Sequence, residues 1–170
     1  MGKINLYHGS YLEISKPRIL TPVRALDFGA GFYTTSSFNQ AKSWAKRQIK
    51  MRTFNSSLAD GDLPLVSYYS FDLELAKSEL NVLVFDSPSS EWLEFVAANR
   101  TLKTVKNYDL IIGPVADDQT MTVVSDYIRG RYSHDEAIRR LMPFNLDDQY
   151  TFTNQKALNY LTYEGVEQID

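Results

Sequence analysis

The stretch "DFGAGFYTTSSFNQAKSWA", residues 27–45, carries the choice between two fold classes. Two glycines, Gly29 and Gly31, stand ahead of a short aromatic and β-branched run, Gly31 to Thr35. Helical spacing follows over Asn39 to Arg52, where Ala41, Trp44, Ala45 and Ile49 recur at intervals of three and four, with Ser36, Ser37 or Asn39 available as the N-cap. A dinucleotide fingerprint places its glycines between a strand and the helix after it. Here they precede the strand, so the fingerprint fails on context and a doubly wound parallel sheet loses its main support.

Working outward, short strand patterns lie at Ile4 to His8, Gly31 to Thr35, Val66 to Leu73, Asn81 to Phe85, Asp109 to Pro114 and Gln149 to Thr153. A second helix fits Ser90 to Arg100, with Trp92, Phe95, Val96 and Asn99 on related faces. Ser133 and Glu136 form a capping-box pattern opening "SHDEAIRRLM", and "TNQKALNYL" reads as a short final helix. Strands and helices interleave without a unit of fixed length, which argues for an α+β domain over residues 1–170. The segment Thr53 to Pro64, rich in Ser, Asn, Asp, Gly and Pro, is the expected mobile loop. No repeat, low-complexity tract or linker divides the chain.

Composition narrows the chemistry. With 44% apolar and 23% charged residues, the 170-residue chain reads as a soluble globular protein with a core of its own. A net charge of −3 disfavours bulk nucleic-acid binding but leaves room for a local phosphate site. The absence of cysteine removes disulfides and thiolate metal sites, and two histidines far apart make a zinc site improbable, so no metal is expected. No apolar run approaches the ~18 residues that span a membrane, and the N-terminal "MGKINLYHGS" enters a strand pattern directly, so the expectation is no membrane and a cytoplasmic location. A P-loop and a G-x-S-x-G nucleophile elbow are both missing.

Attention then falls on "LYHGS" at 6–10, where a strand ends in an imidazole, a bare backbone and a hydroxyl, together with "GAGFYTTSSFNQAKSWA" at 29–45 and "DDQYTFT" at 147–153. In this order, and on strands, these three stretches resemble the ADP-ribosyltransferase superfamily, in its diphtheria-toxin and poly(ADP-ribose) polymerase branch, whose NAD site uses a His, a Tyr and a Glu from three strands. Over nearly its full length the chain also resembles an uncharacterised bacterial family, DUF3990, through "LYHGS", "DFGAGFYTT", "QAKSWA", "EWLEFVAANR" and "YDLIIGPVAD". The resemblance implies split antiparallel β-sheets flanked by helices.

Carried over by position, the resemblance makes His8 the ligand of the nicotinamide ribose and Gly9 the residue whose backbone clamps the carboxamide. Ser10 becomes a neighbouring ribose or nicotinamide contact, and Tyr33 the ring that stacks on nicotinamide. Trp44 takes the place of a second aromatic in many relatives; two rings would favour the charged pyridinium over neutral nicotinamide. At the position of the family glutamate stands Gln149. A glutamine can still hold a ribose hydroxyl but brings no negative charge to a bond-breaking step that builds positive charge on the ribose. Asp147, Asp148, Glu91 or Glu94 could supply a carboxylate from another direction.

The implied activity is NAD-dependent mono-ADP-ribosyl transfer to a macromolecular acceptor, protein favoured over nucleic acid, with the chain acting as the toxin of a bacterial toxin–antitoxin pair. The alternatives are a pseudo-enzyme module that binds NAD or ADP-ribose and works through protein contacts, and simple NAD hydrolysis. Structural readings stand beside the functional ones. His8 alone could be a turn histidine, Tyr33 and Trp44 could fill a core with Ala41, Ala45 and Ile49, and Gln149 could be satisfied locally. Arg100 could meet a phosphate, and His134 is most simply a surface residue.

Overall fold

In a computed structural model of the chain, residues 2–20, 26–101 and 107–170 are described. Among these residues seven strands form one sheet in the order β4-β5-β6-β2-β1-β3-β7. They are β1 (Ile4–Ser10), β2 (Phe32–Thr35), β3 (Leu65–Phe71), β4 (Val82–Val84), β5 (Leu110–Pro114), β6 (Asp148–Phe152) and β7 (Leu161–Gln168). Only β4 and β5 run parallel, joined through the intervening helix; the other neighbours are antiparallel. The helices are α1 (Phe38–Phe54), α2 (Leu73–Glu79), α3 (Ser90–Arg100), α4 (Asp118–Ile128), α5 (His134–Leu141) and α6 (Gln155–Leu158). The class is α+β, as the irregular order of elements implied.

Alternation along the strands separates two apolar layers. Leu6, Phe32, Tyr69, Phe71, Ile112, Tyr150 and Phe152 share one buried face with Ala76 of α2 and with Ala157 and Leu158 of α6. The opposite face is covered by two separate groups of helices. Over β1 and β3 lies α1, with Ala41 buried against Val66 and Ile169; over β5 lie α3, α4 and α5, with Trp92, Leu93, Val96, Val124 and Leu141 packed on Ile111. The boundary between these groups falls above the middle of the sheet.

The sheet itself also weakens at that boundary. β1 pairs with β3 along its whole length, from Ile4↔Phe71 to Ser10↔Leu65, but with β2 at the single position Tyr7↔Thr35. The expected split therefore takes the form of one laddered sheet that opens between β1 and β2.

Local signals explain the helix ends. Of the three candidate caps for α1, Ser37 is the one used, its hydroxyl accepting from Gln40 N at 3.1 Å. Ser133 caps α5 by accepting from Glu136 N at 3.2 Å. The strand expected to run to Leu73 stops at Phe71, because Asp72 caps α2 by accepting from Leu75 N. The segment expected to be a loose loop from Thr53 begins inside α1. Its irregular part is fastened by Arg52, which donates to Asp62 Oδ2 at 2.9 Å and to Ser57 O at 2.8 Å while lying over the Tyr11 ring. Among the described residues no helix is long and apolar enough to cross a membrane.

Candidate functional site

A cavity of about 660 Å³ occupies the opening, and His8, Gly9, Ser10, Tyr33, Trp44 and Gln149 all line it. The volume lies within the range usual for small-molecule and cofactor sites. The six residues come from β1, β2, α1 and β6, as much as 141 positions apart in the chain (8 to 149), and the fold brings every one of them to the same space.

His8 works across the opening. The chains of β1 and β2 separate beyond Tyr7↔Thr35, and there the imidazole Nδ1 donates to the carbonyl of Tyr33 at 2.7 Å. A carbonyl only accepts, so this bond puts the proton on Nδ1 and leaves Nε2 as an acceptor in the neutral ring. Desolvation holds the His8 pKa below its ordinary value, with the Tyr33 carbonyl opposing more weakly. The ring is further fixed by stacking on Phe32, with centroids 4.4 Å apart.

Gly9 has a packing cause as well as a place in the cavity wall. A Cβ built there would lie 1.8 Å from the carbonyl oxygen of Ala41 and 2.8 Å from Ala45 N, so α1 crosses β1 at a distance that only glycine allows. The resemblance gives this glycine a backbone that clamps a carboxamide; the crossing of the α1 backbone already accounts for the glycine. Ser10, buried at the end of β1, accepts from Leu12 N at a long 3.4 Å.

Tyr33 presents its ring to the cavity while its hydroxyl is committed elsewhere. The hydroxyl donates to Gly29 O at 2.6 Å and accepts from Phe28 N at 3.0 Å, which clamps the turn before β2; burial pushes its pKa upward. Gly29 needs its glycine for this turn, since its φ is +81°. The "GAG" of the opening stretch therefore serves a turn that a tyrosine holds. Trp44 is half-buried on α1. With the Gln40 amide turned so that both its ends are satisfied, Trp44 Nε1 donates to the Gln40 oxygen at 2.7 Å and the Gln40 nitrogen donates to Asp147 Oδ2 at 3.3 Å.

Gln149 is 3% exposed and sits between two strands, paired with Thr35 of β2 and Gly113 of β5. Its amide nitrogen reaches Pro114 O at 3.5 Å, a weak bond, so little but the cavity occupies this side chain. None of the carboxylates considered as substitutes lines the cavity: Asp147 meets Gln40, Glu94 accepts from the Tyr127 hydroxyl, and Asp148 and Glu91 lie elsewhere. His134, read as a surface residue, is half-exposed and bonded through Nε2 to Ser90 Oγ at 2.8 Å.

Several cavity residues gave no usable sequence signal. Lys16, Arg18 and Arg47 place cationic side chains around the space, and neither Lys16 nor Arg18 has an ion-pair partner among the described residues. Asp27 and Arg100 line it as an ion pair, with Arg100 Nε at 2.7 Å from Asp27 Oδ1. Arg100, considered above as a phosphate ligand, is thus already matched. Leu12, Leu20 and Met51 add an exposed apolar rim. The whole can hold a ligand with a flat polar ring at the strand opening, anionic groups among the cations, and a second apolar part at the rim.

A family model described as "Protein of unknown function (DUF3990)" matches residues 4–163. No curated protein and no solved structure matches the chain.

Proposed function

Since the chain belongs to the DUF3990 family, whose description assigns no activity, we propose from its own residues that it is an NAD-dependent mono-ADP-ribosyltransferase. The observation that carries the reading is the convergence of His8, Gly9, Ser10, Tyr33, Trp44 and Gln149 on one cavity at the opening between β1 and β2. Nicotinamide lies between the Tyr33 and Trp44 rings, His8 Nε2 accepts from a ribose hydroxyl, and Gln149 holds the other side of that ribose. The pyrophosphate meets Lys16, Arg18 and Arg47, and the adenine takes the apolar rim.

In the reaction the bond between ribose C1′ and the nicotinamide nitrogen breaks, and its electron pair leaves on neutral nicotinamide. An acceptor nucleophile bonds to C1′ and gives up its proton. The overall charge of −3 and the apolar rim favour a protein acceptor over nucleic acid, and a toxin held in check by a protein antitoxin fits an enzyme of this kind. A second reading rests on Gln149: with a neutral side chain where developing positive charge needs stabilising, the chain would bind NAD or ADP-ribose and act through protein contacts.

Purified protein incubated with nicotinamide-labelled NAD, with and without cell lysate, tests this. Wild type is expected to release nicotinamide, and His8→Ala to lower the rate about 10-fold to 100-fold by removing a hydrogen bond worth ~1–3 kcal/mol. Binding without release, in every sample, would favour the second reading. Neither binding nor release would sink both.

A further inference from the structure

The proposed transfer builds positive charge on a ribose, and Gln149 brings none of the opposite sign. We infer that Asp27 supplies it: the carboxylate that faces the reacting ribose comes from the turn before β2, not from β6. This rests on the transferase reading above and assigns a catalytic residue within it.

Asp27 lines the same cavity as His8, Tyr33 and Gln149. Its side chain is 8% exposed, so it acts where solvent screening is weak. The turn that bears it is held from three directions. Tyr33 bonds both Phe28 N and Gly29 O, the Asn99 amide donates to the Asp27 carbonyl at 3.1 Å, and Arg100 grips the carboxylate. Such fixing is what an electrostatic group needs to act without reorganising during the reaction.

The ion pair leaves one oxygen over. Arg100 Nε and Nη2 both bond to Oδ1, and Oδ2 takes neither. Oδ2 is also not a sealed orphan, because among the described residues the one buried side-chain polar atom without a partner is Thr151 Oγ1. An oxygen that is unpartnered and not sealed is free to meet a ligand, and Asp27 borders the cavity where the ribose is proposed to lie. As C1′ loses nicotinamide, Oδ2 stabilises the charge shared by C1′ and the ring oxygen; the acceptor's proton goes to solvent.

Nicotinamide release and equilibrium NAD binding by the full chain test the assignment, in wild type, Asp27→Asn, Gln149→Glu and the double variant. Asn keeps an acceptor for Arg100, so Asp27→Asn is expected to bind NAD within about 3-fold of wild type yet release nicotinamide about 100-fold to 1,000-fold more slowly. Adding Gln149→Glu to it should restore at least a tenth of the wild-type rate, which a merely structural Asp27 would not permit. Gln149→Glu alone reports even if Asp27→Asn misfolds: with a carboxylate already in place its gain should stay below about 10-fold. A 100-fold gain from Gln149→Glu alone, or an Asp27→Asn rate equal to wild type, overturns the assignment while the transferase reading stands. Wild type that neither binds NAD nor releases nicotinamide overturns the transferase reading itself.

Discussion

The two edges of β1 are put to opposite uses. Along one edge, seven residues from Ile4 to Ser10 pair with β3, and the side chains on that ladder form much of the buried layer. Along the other edge a single pair, Tyr7↔Thr35, precedes the opening, and the cavity begins there. A closed ladder satisfies every backbone donor and acceptor it contains and offers nothing to a ligand. An open one leaves polar backbone and room for side chains, and it must be braced by other means. Here the braces are His8 onto the Tyr33 carbonyl and Tyr33 onto Phe28 and Gly29. Stability is concentrated on one side of a strand and the candidate site on the other.

The largest expected effect lies where the two edges share a residue. Gly9 pairs with Val66 on the closed side and lines the cavity on the open side, while α1 crosses directly over it. If its glycine is there for α1, Gly9→Ala must push two backbones apart and is expected to cost ~3 kcal/mol of unfolding free energy, at the upper end for an overpacked site. Denaturant unfolding reads this directly. A variant as stable as wild type that has lost only NAD binding would put the glycine back in the service of the ligand.

A smaller effect separates the edges more cleanly. Tyr33→Phe keeps the ring but removes the hydroxyl that bonds Phe28 N and Gly29 O, an expected cost of ~1–2 kcal/mol. The loosening should be local. Amide exchange is expected to quicken in residues 26–31 and to stay unchanged in β1 and β3, because the closed ladder contains none of these bonds. Quickened exchange throughout β1 would mean that the open side also carries the sheet.

The same contrast governs what could be read from the sequence. Strands of the closed layer announce themselves, since "INLYH" and "LVSYYSF" are rich in aromatic and β-branched residues. β7 and α4 do not. β7, "LTYEGVEQ", has a glycine and two glutamates because it is an outer strand paired only with β3, and its pattern is correspondingly weak. α4, "DQTMTVVSDYI", is helical despite two valines and two threonines, held by the Asp117 cap and by the burial of Val123 and Val124. At the site, the resemblance points to His8, Tyr33 and Gln149 through their order on strands. Asp27 and Arg100 were not brought together, because a pair 73 positions apart leaves no periodicity; only the folded turn against α3 joins them.

The smallest effect is a slope. His8 has its pKa lowered in the folded protein by desolvation, whereas in the unfolded chain it sits near 6.5. Below that value the unfolded chain takes up the proton and the folded one resists it, so unfolding gains free energy as pH falls. Stability contributed by the neutral ring is complete above pH 6.5 and drains away on acidification until the lowered folded pKa is reached. His8→Asn, which can still donate to the Tyr33 carbonyl, has no such proton to bind. Its stability curve from pH 7.5 to 5 is therefore expected to fall less steeply than that of wild type, with a difference of about 1 kcal/mol at pH 5.5 for each unit by which the ring is held down within that window. Parallel curves would mean that His8 is protonated as easily folded as unfolded. The imidazole would then take up its second proton near pH 6.5, and below that pH Nε2 would be a donor and the ribose hydroxyl assigned to it would have to accept.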